Sequence, residues 1–274
     1  ALDDADAHVR AHAAVALHRA GEHERAHRAI SDLLKSEEET PRIAGLEAIA
    51  ASGVAIEFAR VEELARDSAR HVRVAALNAL AAFKAKSPPA VLLDALNDRE
   101  ESVRFASAKT LQAFDSLSEI IRILNAGSER AQEAALVALE ERANATPAVT
   151  DWALAQIPCA AEYRAWSSAL APMDGNQSNA LNYLRDLLHQ SELKTEQRIL
   201  RALALVGRKE TLDLIAKALT VKNPETRAQA IEALDTLGDK RIARGLIPLL
   251  EETSAAAKQD ARTVLNILAT HSDQ

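Results

Sequence analysis

The chain reads as all-α, a right-handed α-solenoid of about nine helical hairpins, and three observations carry that reading. First, one pattern occurs nine times: an Arg-like residue, two small or aliphatic residues three and four positions on, and an aliphatic one seven positions on. Second, the copies step by 32, 31, 31, 28, 32, 34, 29 and 31 residues, and a persistent period near 30 marks stacked helical units. Third, apolar residues make up 48% of the chain but aromatics only 3%, so Ala, Leu, Val and Ile must fill the interior at close helix–helix spacing.

The copies are anchored on Arg10, Arg42, Arg73, Arg104, Gln132, Arg164, Arg198, Arg227 and Lys258. Arg73, Ala76, Leu77 and Leu80 show the pattern in full, whereas Arg164, Ser167, Ser168 and Ala171 show it degraded. Offsets of three, four and seven lie on one face of a helix, so each anchor opens an inner helix. Thr40-Pro41 and Asn223-Pro224 read as an N-cap followed by Pro at the first helical position, where the missing N–H costs nothing. Ser128 and Ser254 take the cap position four residues before Gln132 and Lys258.

Ahead of each inner helix after the first lies a second amphipathic segment: residues 24–35, 56–68, 88–97, 116–126, 147–157, 178–190, 209–221 and 240–251. Leu212, Ile215 and Leu219 in the seventh repeat at helical spacing, and Ser87-Pro88 and Thr146-Pro147 open two others by the same cap-then-proline logic. The repeating unit is therefore a two-helix hairpin.

Residues 1–274 are expected to form one solenoid domain, regular over 1–142, irregular over 143–195 and regular again over 196–274. Residues 1–4 supply only the tail of a first outer helix, so the chain is expected to be part of a longer protein. The irregular centre gathers Trp152, Cys159, Tyr163, Trp166, Met173 and Tyr183, together with Pro158, Pro172 and the loop Asp174-Gly175-Asn176-Gln177.

Charge and composition exclude several classes. A formal charge of −7 argues against nucleic acid as the main partner, because that affinity grows with the phosphates neutralised by Lys and Arg. The single cysteine, Cys159, excludes an internal disulfide and a Cys-based metal cage. No run of 18 apolar residues is present, so no membrane span is expected in this segment, and no signal peptide is visible. The expected compartment is the cytoplasm, with membrane association only through a domain outside this segment.

These residues resemble HEAT repeats, in particular the short bacterial type whose second helix opens with Val-Arg before an Ala-rich run. The likeness is carried by Asp6 to Arg10, His71-Val72-Arg73, Glu101 to Arg104 and Asn223 to Arg227. It covers nearly the whole chain and is weakest from about 143 to 195. The resemblance implies a superhelical stack whose second helices line a concave surface, and a scaffold rather than a set chemistry. The stretch from Arg198 to Glu251 is also similar to HEAT segments of bacterial membrane transporters with soluble regulatory domains. A regulatory domain of such a transporter is the alternative reading. HEAT-like deoxyhypusine hydroxylases hold iron with several His-Glu pairs, and this chain has only His23-Glu24. HEAT-like DNA glycosylases rely on a basic face, which the acidic composition disfavours. Phycobilin lyase-type proteins are similar in repeat style alone.

Three groups of side chains stand out. The ladder of Arg10, Arg42, Arg73, Arg104 and Arg227 reads as structural, each guanidinium bonding turn carbonyls or turn acids such as Asp6, Glu38 and Glu100. The competing reading is a positive stripe for an acidic partner. Periodicity favours the first, since a packing duty recurs in every repeat and a binding duty need not. Trp152, Tyr163, Arg164, Trp166, Tyr183 and Arg185 form the candidate partner-binding site, because Trp, Tyr and Arg dominate binding hot spots. Against it stands the reading that the indoles fill the gap of a distorted sixth repeat, and solvent exposure separates the two. His8 and His12, and His23 and His27, are i, i+4 pairs with metal-ligand spacing, but a clear third ligand is missing and solvated helix surface is the favoured reading.

No Gly-x-Ser-x-Gly elbow, Gly-rich phosphate loop or His-Glu-x-x-His is present. The expected function is non-catalytic binding of a protein partner or of an adjacent domain of the same chain. No cofactor, metal or catalytic residue is expected, and a metal-dependent HEAT-like enzyme is the remaining, disfavoured alternative.

Overall fold

The computed structural model describes residues 1–53, 56–83, 88–140, 142, 145–170, 179–207, 214–215, 217–219, 223–237, 239–251 and 261–271. Every regular element among them is helical, as an all-α solenoid requires. The chain divides into two compact units, Ala1–Glu140 and Glu141–Gln274, where a single domain is expected from the repeats. The border falls two residues before the end of the segment that reads as regular.

The first unit holds α1 (Ala7–Arg19), α2 (His23–Leu34), α3 (Glu39–Ser52), α4 (Phe58–Leu64), α5 (Arg70–Leu80), α6 (Ala90–Ala95), α7 (Glu101–Leu111), α8 (Leu117–Ala126) and α9 (Glu129–Ala138). The odd-numbered helices pack on one another in chain order, and each even-numbered helix packs on the odd one that follows it. This is a stack of hairpins with the pattern-bearing helices as its spine. The pattern explains why: Ala76, Leu77 and Leu80, Ser107, Ala108 and Leu111, and Ala135 and Leu136 are all fully buried. Small residues at the third or fourth position let neighbouring backbones approach, while the aliphatic residues fill the space between them, each contributing roughly 1.5–3 kcal/mol when fully buried. Gly45 is the tightest such point. A Cβ there would lie 3.0 Å from the Leu33 Cβ and 3.0 Å from the Leu34 Cδ2, so α3 seats on α2 only because the side chain is absent.

Helix starts follow the capping logic in part. The Ser128 hydroxyl accepts from the Ala131 N–H at 3.3 Å and caps α9, and the Asp6 carboxylate accepts from the His8 N–H at 2.8 Å and caps α1. Thr40 is not the cap of α3, which opens after Glu38 and carries Pro41 inside its first turn, where an N–H has no helical acceptor in any case. Ser87 and Ser254 lie outside the described residues.

The second unit holds α10 (Thr146–Leu170), α11 (Asn179–Val206), α12 (Pro224–Leu237), α13 (Lys240–Leu250) and α14 (Ala261–His271). It departs from the expected hairpins. Segments 147–157 and the helix of Arg164 are one continuous helix of 25 residues, and segments 178–190 and the helix of Arg198 are one of 28. The junctions explain this. Cys159-Ala160-Ala161-Glu162 and Glu192-Leu193-Lys194-Thr195-Glu196 contain good helix formers and no Gly, Asn or Asp to turn the chain. Pro158 does not end α10 although an interior proline removes one hydrogen bond and costs about 3 kcal/mol. α10 and α11 run antiparallel along most of their length, so packing outweighs that cost. α10 also packs on α13 and α14. Gly245 of α13 faces Ile157 of α10, and a Cβ on it would come within 2.6 Å of the Ile157 Cδ1. Asn223 caps α12 as expected, accepting from the Glu225 N–H at 2.9 Å.

Candidate functional site

The arginine ladder is built by the turns that precede the inner helices. The Arg42 Nη1 donates to the Ser36 and Glu37 carbonyls at 3.1 and 2.7 Å. The Arg73 Nη1 donates to the Asp67 and Ser68 carbonyls at 2.9 and 3.0 Å, and the Arg104 Nη1 to the Asp98 and Arg99 carbonyls at 2.9 and 3.1 Å. Arg10 repeats the geometry on the Asp4 and Ala5 carbonyls at 2.6 and 3.0 Å. Each guanidinium therefore satisfies the two carbonyls that a turn leaves without helical donors.

A second set of bonds crosses between repeats. The Arg42 Nη2 lies 3.1 Å from the Asp67 Oδ2, and the Arg73 Nε and Nη2 lie 3.0 and 3.1 Å from the Asp98 carboxylate. Arg42 and Arg73 are only 9% and 7% exposed, so these pairs are shielded from solvent. Each Asp also holds its own turn, Asp67 accepting from the Ala69 N–H and Asp98 from the Glu100 N–H, both at 2.8 Å. One carboxylate thus shapes a turn and binds the arginine of the preceding repeat. The acids that do this stand six residues before the next ladder arginine, a spacing the sequence reading passed over. Asp6, Glu38 and Glu100 are not the partners: Asp6 caps α1, Glu38 donates its backbone N–H to the Ser36 hydroxyl, and Glu100 lies 3.8 Å from Arg70. Arg227 lies on α12, and its side chain is outside the described residues.

The six candidate contact residues do not form one surface. Trp152 is 3% exposed and belongs to the core of the second unit. Tyr163 and Trp166 meet edge to face at 5.9 Å between ring centroids and pack on a cluster of Leu170, Leu188 and Val264. Arg164 bonds Glu192 through Nε and Glu196 through Nη2, the latter at 3.2 Å. Both glutamates are buried, at 3% and 5% exposure. Arg185 is half-buried, while Tyr183 is 70% exposed with Leu187, 46% exposed, one helical turn on. Exposure therefore separates Tyr183 from Trp152, Tyr163 and Trp166, and it adds Leu187, an ordinary helical leucine in the sequence that only its exposed position on α11 singles out. Met173 and the 174–177 loop lie outside the described residues.

The histidines gather where α1 meets α2. The His18 and His23 Nδ1 atoms share a hydrogen bond of 2.9 Å, and His27 stacks on His18 at 5.8 Å between centroids. Partial desolvation and then the charges of His23 and His27 hold the His18 imidazole below its ordinary value of 6.5. Among the described residues no three His, Cys, Asp or Glu converge as metal ligands. No helix among them is long and apolar enough to cross a membrane.

A spine of inner helices packed with outer helices, in which buried Arg42 and Arg73 each reach the turn of the following repeat, defines an α-solenoid. The family model described as HEAT repeats matches residues 181–266, a stretch that runs from α11 into α14. That stretch of the chain is similar to HEAT repeats. The match gives no sign of the transporter likeness. No curated protein matches the chain.

Proposed function

We propose that this chain is a non-catalytic scaffold that binds a protein partner, or an adjacent domain of the same chain, through the outer face of α11. The observation that carries the reading is the exposed pair Tyr183 and Leu187, at 70% and 46%, in a chain whose large apolar side chains are otherwise mostly buried. A tyrosine supplies wide contact area at low entropic cost, and an aliphatic residue one turn away extends it along the helix. Arg42 and Arg73 support the same reading by their cost: groups held in pairs inside the fold are not offered to a ligand, so these two rungs serve as frame and α11 as contact. The net charge of −7 leaves nucleic acid a poor fit.

A photo-crosslinking residue at position 183, compared with one at exposed Lys194, tests this in cells of origin. The expected result is a discrete crosslinked partner from 183 alone, and at least tenfold less of that partner recovered with Tyr183→Ala/Leu187→Ser at unchanged helical circular dichroism. Equal recovery with the double variant contradicts the reading.

A further inference from the structure

Two open cavities sit one repeat apart in the first unit, and they differ in a way that points to a ligand. The second, of about 820 Å³, lies between the turn after α2 and the helix α4. Its charged lining is four cations and four acids, paired internally: Arg42 with Asp67 at 3.1 Å, and Arg60 with Glu63 at 2.7 Å. The first cavity, of about 530 Å³, is the equivalent space one repeat earlier, between the turn before α1 and the helix α2. It is lined by Arg10, Arg25, Arg28 and Lys35 against only Asp3 and Asp32. The cause is a single position. The residue six before Arg10, Arg42, Arg73 and Arg104 is Asp4, Ser36, Asp67 and Asp98 in turn, so the carboxylate that Arg42 and Arg73 meet in the following turn is, for Arg10, a serine.

The consequences are visible in the bonds. Arg10 keeps its two turn carbonyls, but among the described residues no carboxylate meets its guanidinium. Arg25 is held by Glu22 at 2.6 Å, whereas among the described residues Arg28 and Lys35 meet no acid within ion-pair distance. The Ser36 hydroxyl does the local half of the aspartate's work, accepting from the Glu38 N–H at 3.2 Å, and leaves the charged half undone. A chain of net charge −7 thus holds a cationic cavity in the place where two sister repeats hold an ion pair.

We infer that this cavity is a binding site for a carboxylate side chain of an acidic protein segment, which completes the ladder rung on Arg10 with Arg28 and Lys35 beside it. A carboxylate is the group the sister rungs use on the same arginine geometry, and it reaches a forked guanidinium with two oxygens. Assigning it to a protein segment rests on the scaffold reading above. The site stands or falls separately, because its test involves neither Tyr183 nor a natural partner.

The test titrates the protein with an N-acetylated, amidated hexaglutamate peptide and, separately, with inorganic phosphate at constant ionic strength, following backbone amide shifts. The expected result is saturable shifts at residues 4–10 and 35–38 with the peptide, and at least tenfold weaker binding in Arg10→Gln. Ser36→Asp supplies the missing carboxylate from within: it abolishes peptide binding and raises the melting temperature by about 2 °C, the scale of a partly exposed ion pair. Peptide binding by Ser36→Asp equal to that of the unaltered protein overturns the proposal, as does the absence of saturable binding. Saturation by phosphate in place of the peptide overturns the carboxylate assignment.

Discussion

Arg73 and Arg164 hold the same place in their repeats and solve different problems. Arg73 stands after a turn, so its guanidinium finds two free carbonyls behind it and one aspartate ahead. Arg164 stands in the middle of α10, where the carbonyls behind it are already spent on the helix, and two glutamates one turn apart on α11 take their place. The arginine is thus a device for whatever the junction lacks. Where the junction is a turn it satisfies the backbone and ties the next repeat, and where the junction is helix it ties two long helices by their side chains alone.

The largest expected effect breaks the second arrangement. Arg164→Met removes the guanidinium that bonds both buried glutamates, Glu192 and Glu196, and is expected to cost about 3–5 kcal/mol, read by chemical denaturation. Unfolding of the first unit, followed separately, is expected to stay in place. A loss below about 1 kcal/mol would mean that the glutamates reach water and that the two long helices do not depend on the arginine.

Close approach provides a smaller contrast. At Gly45 the obstacle to a methyl group is the Leu33 Cβ, fixed to its backbone, whereas at Gly245 it is the tip of Ile157, which can turn away. Gly45→Ala is expected to lower stability by about 1–2 kcal/mol and Gly245→Ala by less than about 1 kcal/mol, both by thermal melting. The reverse order would show that α13 is seated more rigidly than α3.

The smallest effect concerns a cap. Burial pushes the Asp239 carboxyl up, but bonds from the Arg241 side chain and from the Arg241 and Ile242 N–H groups hold it below its ordinary value of 3.8. A carboxyl lowered in the folded state stabilises above its unfolded value and loses that contribution as pH falls through the folded one. Asp239→Ala is therefore expected to cost about 1 kcal/mol at neutral pH, with the difference closing below about pH 4. A gap that persists at pH 2 would assign the loss to packing.

How much of this was legible is uneven for physical reasons. The buried positions of α3, α5, α7 and α9 followed from offsets of three, four and seven, because a packing duty repeats with the helix. Asn223 and Ser128 were readable as caps, since short acceptor side chains serve a local need. The fused helices α10 and α11 were not, because the pattern fixes which face is buried and does not say whether the chain turns before it. The missing signal was negative: no Gly, Asn or Asp between 158 and 164 or between 191 and 198. The ladder's acids were passed over for a related reason. Asp67 and Asp98 act across repeats, and neighbours in sequence such as Glu100 looked better placed. For the candidate contact residues, residue type gathered Trp152 and Tyr183 together, and only burial, set by the opposite faces of α10 and α11, drew them apart.

The central claim is that the arginine series holds repeat to repeat. The direct test is a double-mutant cycle on Arg73→Gln and Asp98→Asn by equilibrium denaturation. A coupling of about 1–3 kcal/mol between the two positions is predicted for a shielded pair that also anchors a turn. A coupling below about 0.3 kcal/mol would contradict the account and return the ladder to a surface stripe available to partners.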